Sequence, residues 1–153
     1  MSDLHAFPAF PYANRVRPMF SLHHVALSVS DLDATIAFYT ALDFEPVYRW
    51  HAEDGKLMIV HLKQGEFLLE LFCFEDPSPA PLSSQELASD LPRVGIKHFG
   101  LRVADIHAAL AQLQAQGLAD DVQVVKGRTG IDYFFIKDPD GILLEIVQDD
   151  RQF

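Results

Sequence analysis

The sequence predicts an α+β fold built from two βαβββ modules, because its two halves share one pattern. Each half contains several short runs in which apolar and polar residues alternate, which is typical of half-buried strands, and one stretch with helical periodicity. The spacing of marker residues repeats as well. Asp31 follows His24 by seven residues, and Asp105 follows His98 by seven residues. The repeat therefore predicts two copies of one supersecondary unit.

The first module is predicted at residues 21–74. Its opening strand is expected at 23–29, where apolar and polar residues alternate. Asp31 then stands in the N-cap position of a helix, because an apolar stripe with helical spacing begins directly after it. Three more strands are predicted at 44–51, 57–62 and 67–74.

The second module is predicted at residues 96–148 and follows the same order. Its opening strand is expected at 97–103, and Asp105 provides the N-cap of the second helix. Three strands are predicted at 122–125, 131–137 and 142–148. The last two are joined by Asp138-Pro139-Asp140-Gly141, in which proline suits the second turn position and glycine the left-handed one.

The remaining segments lack regular patterns. Residues 1–20 contain three prolines and scattered aromatic residues, which indicates an irregular N-terminal arm. Residues 75–95 contain four more prolines and are interpreted as a linker, and residues 149–153 as a C-terminal tail. The two modules together are expected to form one domain, since 153 residues suit a single core.

The composition excludes several classes of protein. The formal net charge of −10 argues against a nucleic-acid partner, because phosphate binding needs a basic surface. No segment approaches the roughly 20 apolar residues of a membrane span, so no membrane partner is expected. Cys73 is the single cysteine and cannot form an internal disulfide, which favours a reducing, cytoplasmic location.

Two glutamates carry the first functional signal. Glu70 lies 46 residues after His24, and Glu145 lies 47 residues after His98. Each glutamate is the ionisable residue of an otherwise apolar strand, where a carboxylate is costly unless it is paired, protonated or bound to a cation. Each histidine shares its strand face with small residues, which leaves room for a ligand.

The duplicated His and Glu pairs therefore predict a metal site made of His24, Glu70, His98 and Glu145. Two imidazoles and two carboxylates suit Zn²⁺, Ni²⁺, Co²⁺, Mn²⁺ or Fe²⁺, and without a thiolate ligand the donors do not select one of them. Four ligands leave room for substrate on an octahedral metal, which indicates a Lewis-acid site. The sequence leaves open whether all four ligands come from one chain or from two.

Several motifs carry a resemblance to a known family. They are His24-Val25-Ala26-Leu27-Ser28-Val29-Ser30-Asp31-Leu32, Phe38-Tyr39, Leu69-Glu70-Leu71-Phe72, Lys97-His98-Phe99-Gly100-Leu101-Arg102-Val103-Ala104-Asp105-Ile106 and Phe134-Phe135-Ile136-Lys137-Asp138-Pro139-Asp140-Gly141-Ile142-Leu143-Leu144-Glu145. With these motifs the chain resembles the vicinal oxygen chelate superfamily, which includes glyoxalase I, bleomycin resistance proteins and dioxygenases. The resemblance extends from Ser21 to Gln148.

The resemblance implies an incomplete barrel formed by the paired modules around one divalent metal. It further implies a lyase or isomerase whose small-molecule substrate chelates the metal through adjacent oxygens. Glyoxalase I assigns the proton-transferring base to the position of Glu145, with Glu70 as its counterpart. Relatives of this size often form homodimers, so a homodimer is expected. The first strand lacks the glutathione-binding arginine of glyoxalase I, which points to a glyoxalase-related subgroup with another substrate.

Three further residues are candidates for substrate contacts. Arg102 shares the strand parity of His98 and could hold a substrate anion, although a rim ion pair explains it equally well. His51 and His61 lie in or beside strands and are candidate cavity residues. Three other functions compete with the glyoxalase type: an acyl-CoA epimerase of the methylmalonyl-CoA type, a drug-binding protein without catalysis, and a dioxygenase, which the four-ligand set disfavours.

Overall fold

A computed structural model describes residues 19–84 and 86–152. The strands are β1 His24–Val29, β2 Glu45–His51, β3 Leu57–Gln64, β4 Phe67–Phe74, β5 Phe99–Arg102, β6 Val125–Lys126, β7 Asp132–Lys137 and β8 Leu143–Gln148. The helices are α1 Leu32–Thr40, α2 Leu87–Asp90 and α3 Ile106–Ala115, with a 3₁₀ turn at Leu82–Ser84. Apart from Met19 and Phe20, the predicted N-terminal arm lies outside the described residues, as does Phe153 of the tail.

The strands form two four-stranded sheets with the same topology, which confirms the α+β class and the repeated modules. The first sheet has the order β1-β4-β3-β2, and the second has the order β5-β8-β7-β6. In each sheet the first strand runs parallel to the last one, and the other pairs are antiparallel. The described strands do not close into a barrel.

Both long helices begin at the predicted aspartates. The Asp31 carboxylate accepts a hydrogen bond from the backbone N–H of Ala34 at 2.9 Å, and Asp105 does the same for His107 and Ala108. These bonds satisfy backbone donors that lack partners in the first helical turn.

One hydrophobic core draws on both modules. Tyr39 of α1 is fully buried and stacks on Phe99 of β5, with 6.3 Å between the ring centroids. Its hydroxyl donates to Asp138 Oδ2 at 3.2 Å. The backbone N–H of Ser30 donates to Asp140 Oδ2 at 2.9 Å, and the Ser30 hydroxyl also contacts that carboxylate. Contacts from α1 and the end of β1 thus hold the turn that precedes β8.

The turn before β8 has the predicted form. Gly141 adopts a φ of +80°, a conformation that favours glycine, and its N–H donates to the carbonyl of Asp138 at 2.9 Å. The Asp138 carboxylate accepts the N–H groups of Asp140 and Ile142 at 3.0 and 2.8 Å. Asp138 is 5 % exposed, and its carboxylate bonds to the backbone of the turn that it begins.

One predicted strand is displaced. The sequence predicts a strand at 122–125, whereas β6 covers Val125–Lys126. Asp121 has a left-handed φ of 58°, and the N–H of Val122 bonds back to the carbonyl of Ala119. This turn delays pairing with β7 until Val125, so the alternating apolar residues before it pack on the core as a loop.

No helix in the described part of the chain is long and apolar enough to cross a membrane.

Candidate metal centre

Glu70 lies in the middle of the first sheet, between β1 and β3. Its register partners are Ala26 of β1 and His61 of β3. The residues at either side of it along β4, Leu69 and Leu71, are completely buried in the core. Because successive strand side chains alternate between faces, Glu70 projects from the opposite, more open face. Its carboxylate is 22 % exposed.

Two imidazoles contact the Glu70 carboxylate, each at a different oxygen. His61 Nε2 lies 2.9 Å from Oε1, which is a hydrogen bond. His24 Nε2 lies 3.6 Å from Oε2, which is too long for one. Register explains both contacts, since His61 is directly opposite Glu70 while His24 is displaced by two residues along β1.

The second sheet repeats the histidine–glutamate arrangement. Glu145 of β8 lies between Gly100 of β5 and Phe135 of β7. His98 precedes β5 by one residue, and its Nε2 lies 3.4 Å from Glu145 Oε2. His98 and Glu145 are both partly buried, at 26 % and 17 % side-chain exposure. The two modules therefore offer matched pairs with nearly equal nitrogen–oxygen separations.

The second nitrogens of the two pair histidines differ in their surroundings. His24 Nδ1 lies 2.9 Å from His23 Nδ1, so one ring donates to the other. If His24 is the donor, its Nε2 keeps the lone pair that a metal needs. His98 Nδ1 is buried and has no hydrogen-bond partner among residues 19–84 and 86–152. A buried ring nitrogen without a partner is uncommon and calls for a group that this part of the chain does not supply.

The two pairs remain separate within the described part of the chain. No set of three or more His, Cys, Asp or Glu side chains there is arranged to hold a metal ion. Glu70 has two imidazole neighbours, His24 and His61, but these contact different oxygens of its carboxylate. His61 lies at hydrogen-bond distance.

The other two predicted substrate residues, His51 and Arg102, are placed differently. His51 ends β2 opposite Met58 and is three residues from Tyr48, so it projects from the face opposite His61. Arg102 is exposed, and its Nη2 donates to the backbone carbonyl of Asp149 at 2.6 Å. The structure ties Arg102 to the C-terminal segment.

The contact between His61 and Glu70 was not part of the sequence prediction, although a signal for it exists. Gly65 and Glu66 form a two-residue loop between β3 and β4, and Gly65 has a φ of +56°. Such a loop fixes the hairpin register and sets position 61 opposite position 70. The length of this loop therefore indicates that His61 lies opposite Glu70, which the alternation of apolar and polar residues alone does not.

Comparison with known proteins identifies the family. The model of the Glyoxalase/Bleomycin resistance protein/Dioxygenase superfamily matches residues 21–146. The chain belongs to this superfamily.

Two bacterial proteins have similar sequences. YaeR of Escherichia coli is 31 % identical over 134 residues, which are 83 % of this chain and 95 % of YaeR. YwkD of Bacillus subtilis is 28 % identical over 130 residues, covering 84 % of this chain and 96 % of YwkD. A glyoxalase family protein of Enterococcus faecalis superimposes with a TM-score of 0.69 at 30 % identity, covering 84 % of this chain and 98 % of that one. The resemblance predicted from the motifs is thus confirmed.

Proposed function

We propose that the protein is a metal-dependent lyase or isomerase of the glyoxalase type, acting on a small molecule that chelates one divalent metal through adjacent oxygens. The observation that carries the proposal is the repeated pair geometry. In each sheet a histidine Nε2 faces a glutamate Oε2 on the open face, at 3.6 Å for His24 and Glu70 and at 3.4 Å for His98 and Glu145.

The donor atoms fit a metal. Two neighbouring ligands of one octahedral metal, each bonded at a distance near 2.1 Å, lie about 3.0 Å apart. The two nitrogen–oxygen separations, 3.6 and 3.4 Å, are too long for hydrogen bonds and exceed that value by only a few tenths of an ångström. The donor set of imidazole nitrogen and carboxylate oxygen suits Ni²⁺, Zn²⁺, Co²⁺, Mn²⁺ or Fe²⁺.

In the proposed site His24, Glu70, His98 and Glu145 hold the metal. When bound, a divalent cation supplies Lewis-acid polarisation of the substrate oxygens, which acidifies the neighbouring C–H bond. Glu145 accepts the proton from this carbon on its carboxylate and delivers it to the adjacent carbon, so it acts first as base and then as acid. His24, His98 and Glu70 remain ligands throughout.

We further propose that two copies of the chain complete the site as a homodimer. The two pairs stay apart within the described residues, so each pair needs donors from elsewhere. Large apolar side chains precede both histidines and are exposed: Leu22 is 88 % exposed and Val94 is 97 % exposed. Burial of such side chains against a partner is favourable, because it removes apolar area from water. A second copy supplies the complementary pair and covers this surface.

Metal content is the first test of the proposal. Untagged protein, dialysed against a chelator and then exposed to Ni²⁺, Zn²⁺, Co²⁺ or Mn²⁺, is expected to retain one metal ion per pair of modules. If elemental analysis finds no stoichiometric metal, the proposed metal-dependent activity is contradicted, and a binding protein without catalysis is favoured.

The role of Glu145 is tested by Glu145→Gln. Since the amide cannot accept the proton, we expect turnover to fall by about 10²- to 10⁴-fold. Most of the bound metal should remain, because three donors and an amide oxygen are still present. Glu66→Gln, an exposed substitution in the β3–β4 loop, is the matched control and should behave as wild type. Wild-type turnover in Glu145→Gln would refute the assignment.

The substrate class is tested on the metal-loaded protein. Activity on adducts of 2-oxoaldehydes with thiols supports the glyoxalase type. Activity on 2-acyl thioesters alone would contradict the glyoxalase type and support an epimerase, which uses the same proton transfer on another substrate.

A further inference from the structure

The two glutamates of the candidate site have different neighbours at matching register positions. Glu70 lies between Ala26 and His61, whereas Glu145 lies between Gly100 and Phe135. One glutamate thus has a methyl group on one side and a hydrogen-bonding ring on the other. Its counterpart has a bare backbone on one side and a phenyl ring on the other. The pair geometry repeats, but the support of the two carboxylates does not.

His61 restrains the Glu70 carboxylate. Its Nε2 bonds to Oε1 at 2.9 Å, and the imidazole is itself 28 % exposed and packed beside the Tyr48 ring, with 5.4 Å between the centroids. One oxygen of Glu70 is therefore engaged, while Oε2 is the oxygen that faces His24. Partners of this kind fix the orientation of a ligand and raise metal affinity.

Glu145 lacks such a restraint. Its contact with His98, at 3.4 Å, is not a hydrogen bond, and within residues 19–84 and 86–152 no hydrogen bond to its carboxylate is formed. Phe135, which occupies the place of His61, has no donor and packs edge-on against His98 instead, at 4.9 Å and 78°. A Cβ atom added at Gly100 would lie 3.5 Å from Glu145 Oε2, so glycine leaves space next to that oxygen.

We propose that His61 is a positioning residue that holds Glu70 as a permanent ligand, and that Gly100 and Phe135 leave Glu145 free to move. This assignment rests on the proposed function. A base has to turn from its ligand position toward the substrate carbon, and a carboxylate without a hydrogen-bonded partner breaks no hydrogen bond when it turns. The different neighbours therefore assign different roles to two glutamates whose histidine pairs are otherwise alike: Glu70 is the permanent ligand and Glu145 is the base.

The restraint on Glu70 is tested by His61→Phe, which gives the first sheet the neighbour found in the second. In the metal-loaded homodimer we expect Co²⁺ and Zn²⁺ dissociation constants about 10- to 100-fold higher, measured by competition with a chelating dye. The visible spectrum of bound Co²⁺ should change without substrate, which a purely structural role would not cause. His61→Gln, whose amide N–H can still donate to Oε1, should restore most of the affinity.

The freedom of Glu145 is tested by Gly100→Ala, with Ala26→Gly as the matched substitution at the other glutamate. The probe is acetohydroxamate, a chelator with adjacent oxygens, added to the Co²⁺-loaded protein. We expect Gly100→Ala to bind Co²⁺ as wild type does but to bind acetohydroxamate at least severalfold more weakly. Ala26→Gly should leave acetohydroxamate binding unchanged.

The outcomes separate this assignment from the proposed function. If the wild-type chain binds no metal, the proposed function is refuted and the assignment with it. If wild type binds metal but His61→Phe has the same dissociation constant and spectrum, the assignment alone is refuted. Equal acetohydroxamate affinities of wild type and Gly100→Ala would refute the role of Gly100.

Discussion

At the scale of single residues, Asp138 shows how a carboxylate can be buried for structure. It accepts two backbone N–H groups and the Tyr39 hydroxyl. Burial is the largest influence on it and raises its pKa above the ordinary value, outweighing these hydrogen bonds. Burial and the neighbouring Asp138 likewise raise the pKa of Tyr39, which keeps that hydroxyl protonated as a donor.

The raised pKa of Asp138 predicts a pH dependence of stability. The folded state binds this proton more tightly than the unfolded state, so the contribution of Asp138 is greatest below its unfolded pKa, near 4. It decreases as the pH rises through the folded pKa. Asp138→Asn does not titrate, so the free energy of unfolding of wild type relative to this variant should fall between pH 4 and 7. Urea unfolding across that range measures it, and a rising or flat difference would contradict the prediction.

The site residues also show what sequence can predict at this scale. Strand parity and spacing predicted that His24 stands beside Glu70 and His98 beside Glu145, because parity decides which side chains share a face. Parity does not decide how far apart two faces lie. The separation of the two pairs within the described residues depends on how the sheets pack, for which local pattern carries no signal.

At the scale of elements, capping determines where the helices begin. Asp31 and Asp105 each satisfy N–H groups of the first turn through a side-chain oxygen. Both caps could be predicted because an aspartate directly before an apolar helical stripe is commonly the N-cap residue. The start of β6 could not, since the turn at Asp121 overrides the alternation that predicted a strand from residue 122.

Removing one cap should weaken the fold measurably. Asp31→Ala leaves the N–H of Ala34 without its acceptor, and we expect a loss of about 1 kcal/mol in the free energy of unfolding. Asp33→Ala, on an exposed site of the same helical turn, is the control and should cost less. Thermal unfolding of the two variants beside wild type measures the difference. Equal losses would show that charge in the first turn, and not the cap bond, stabilises the helix.

At the scale of the whole molecule, the proposed homodimer makes a quantitative prediction. If each site joins His24 and Glu70 of one chain with His98 and Glu145 of the other, a His24→Ala chain and a His98→Ala chain complement one another. A mixed dimer then has one intact site and one site that lacks both histidines. After denaturation and joint refolding of equal amounts, activity should recover to about one quarter of wild type, as random pairing into twofold dimers requires.

Each variant refolded alone is the control and should remain inactive. Recovery in the mixture with the expected dimer mass in sedimentation supports the shared site. A mixture as inactive as its components, with dimers formed, would assign each site to a single chain.

The hydrogen bonds from Tyr39 to Asp138 and from Ser30 to Asp140 have a consequence for folding cooperativity. Two repeated modules resemble independent foldons, yet the second module's turn buries a carboxylate whose partner belongs to the first. If α1 detaches, that carboxylate loses a donor and the shared aromatic packing, so the halves should unfold in one transition. Amide hydrogen exchange at Ile142 should accordingly slow and quicken together with exchange in β1 and β4.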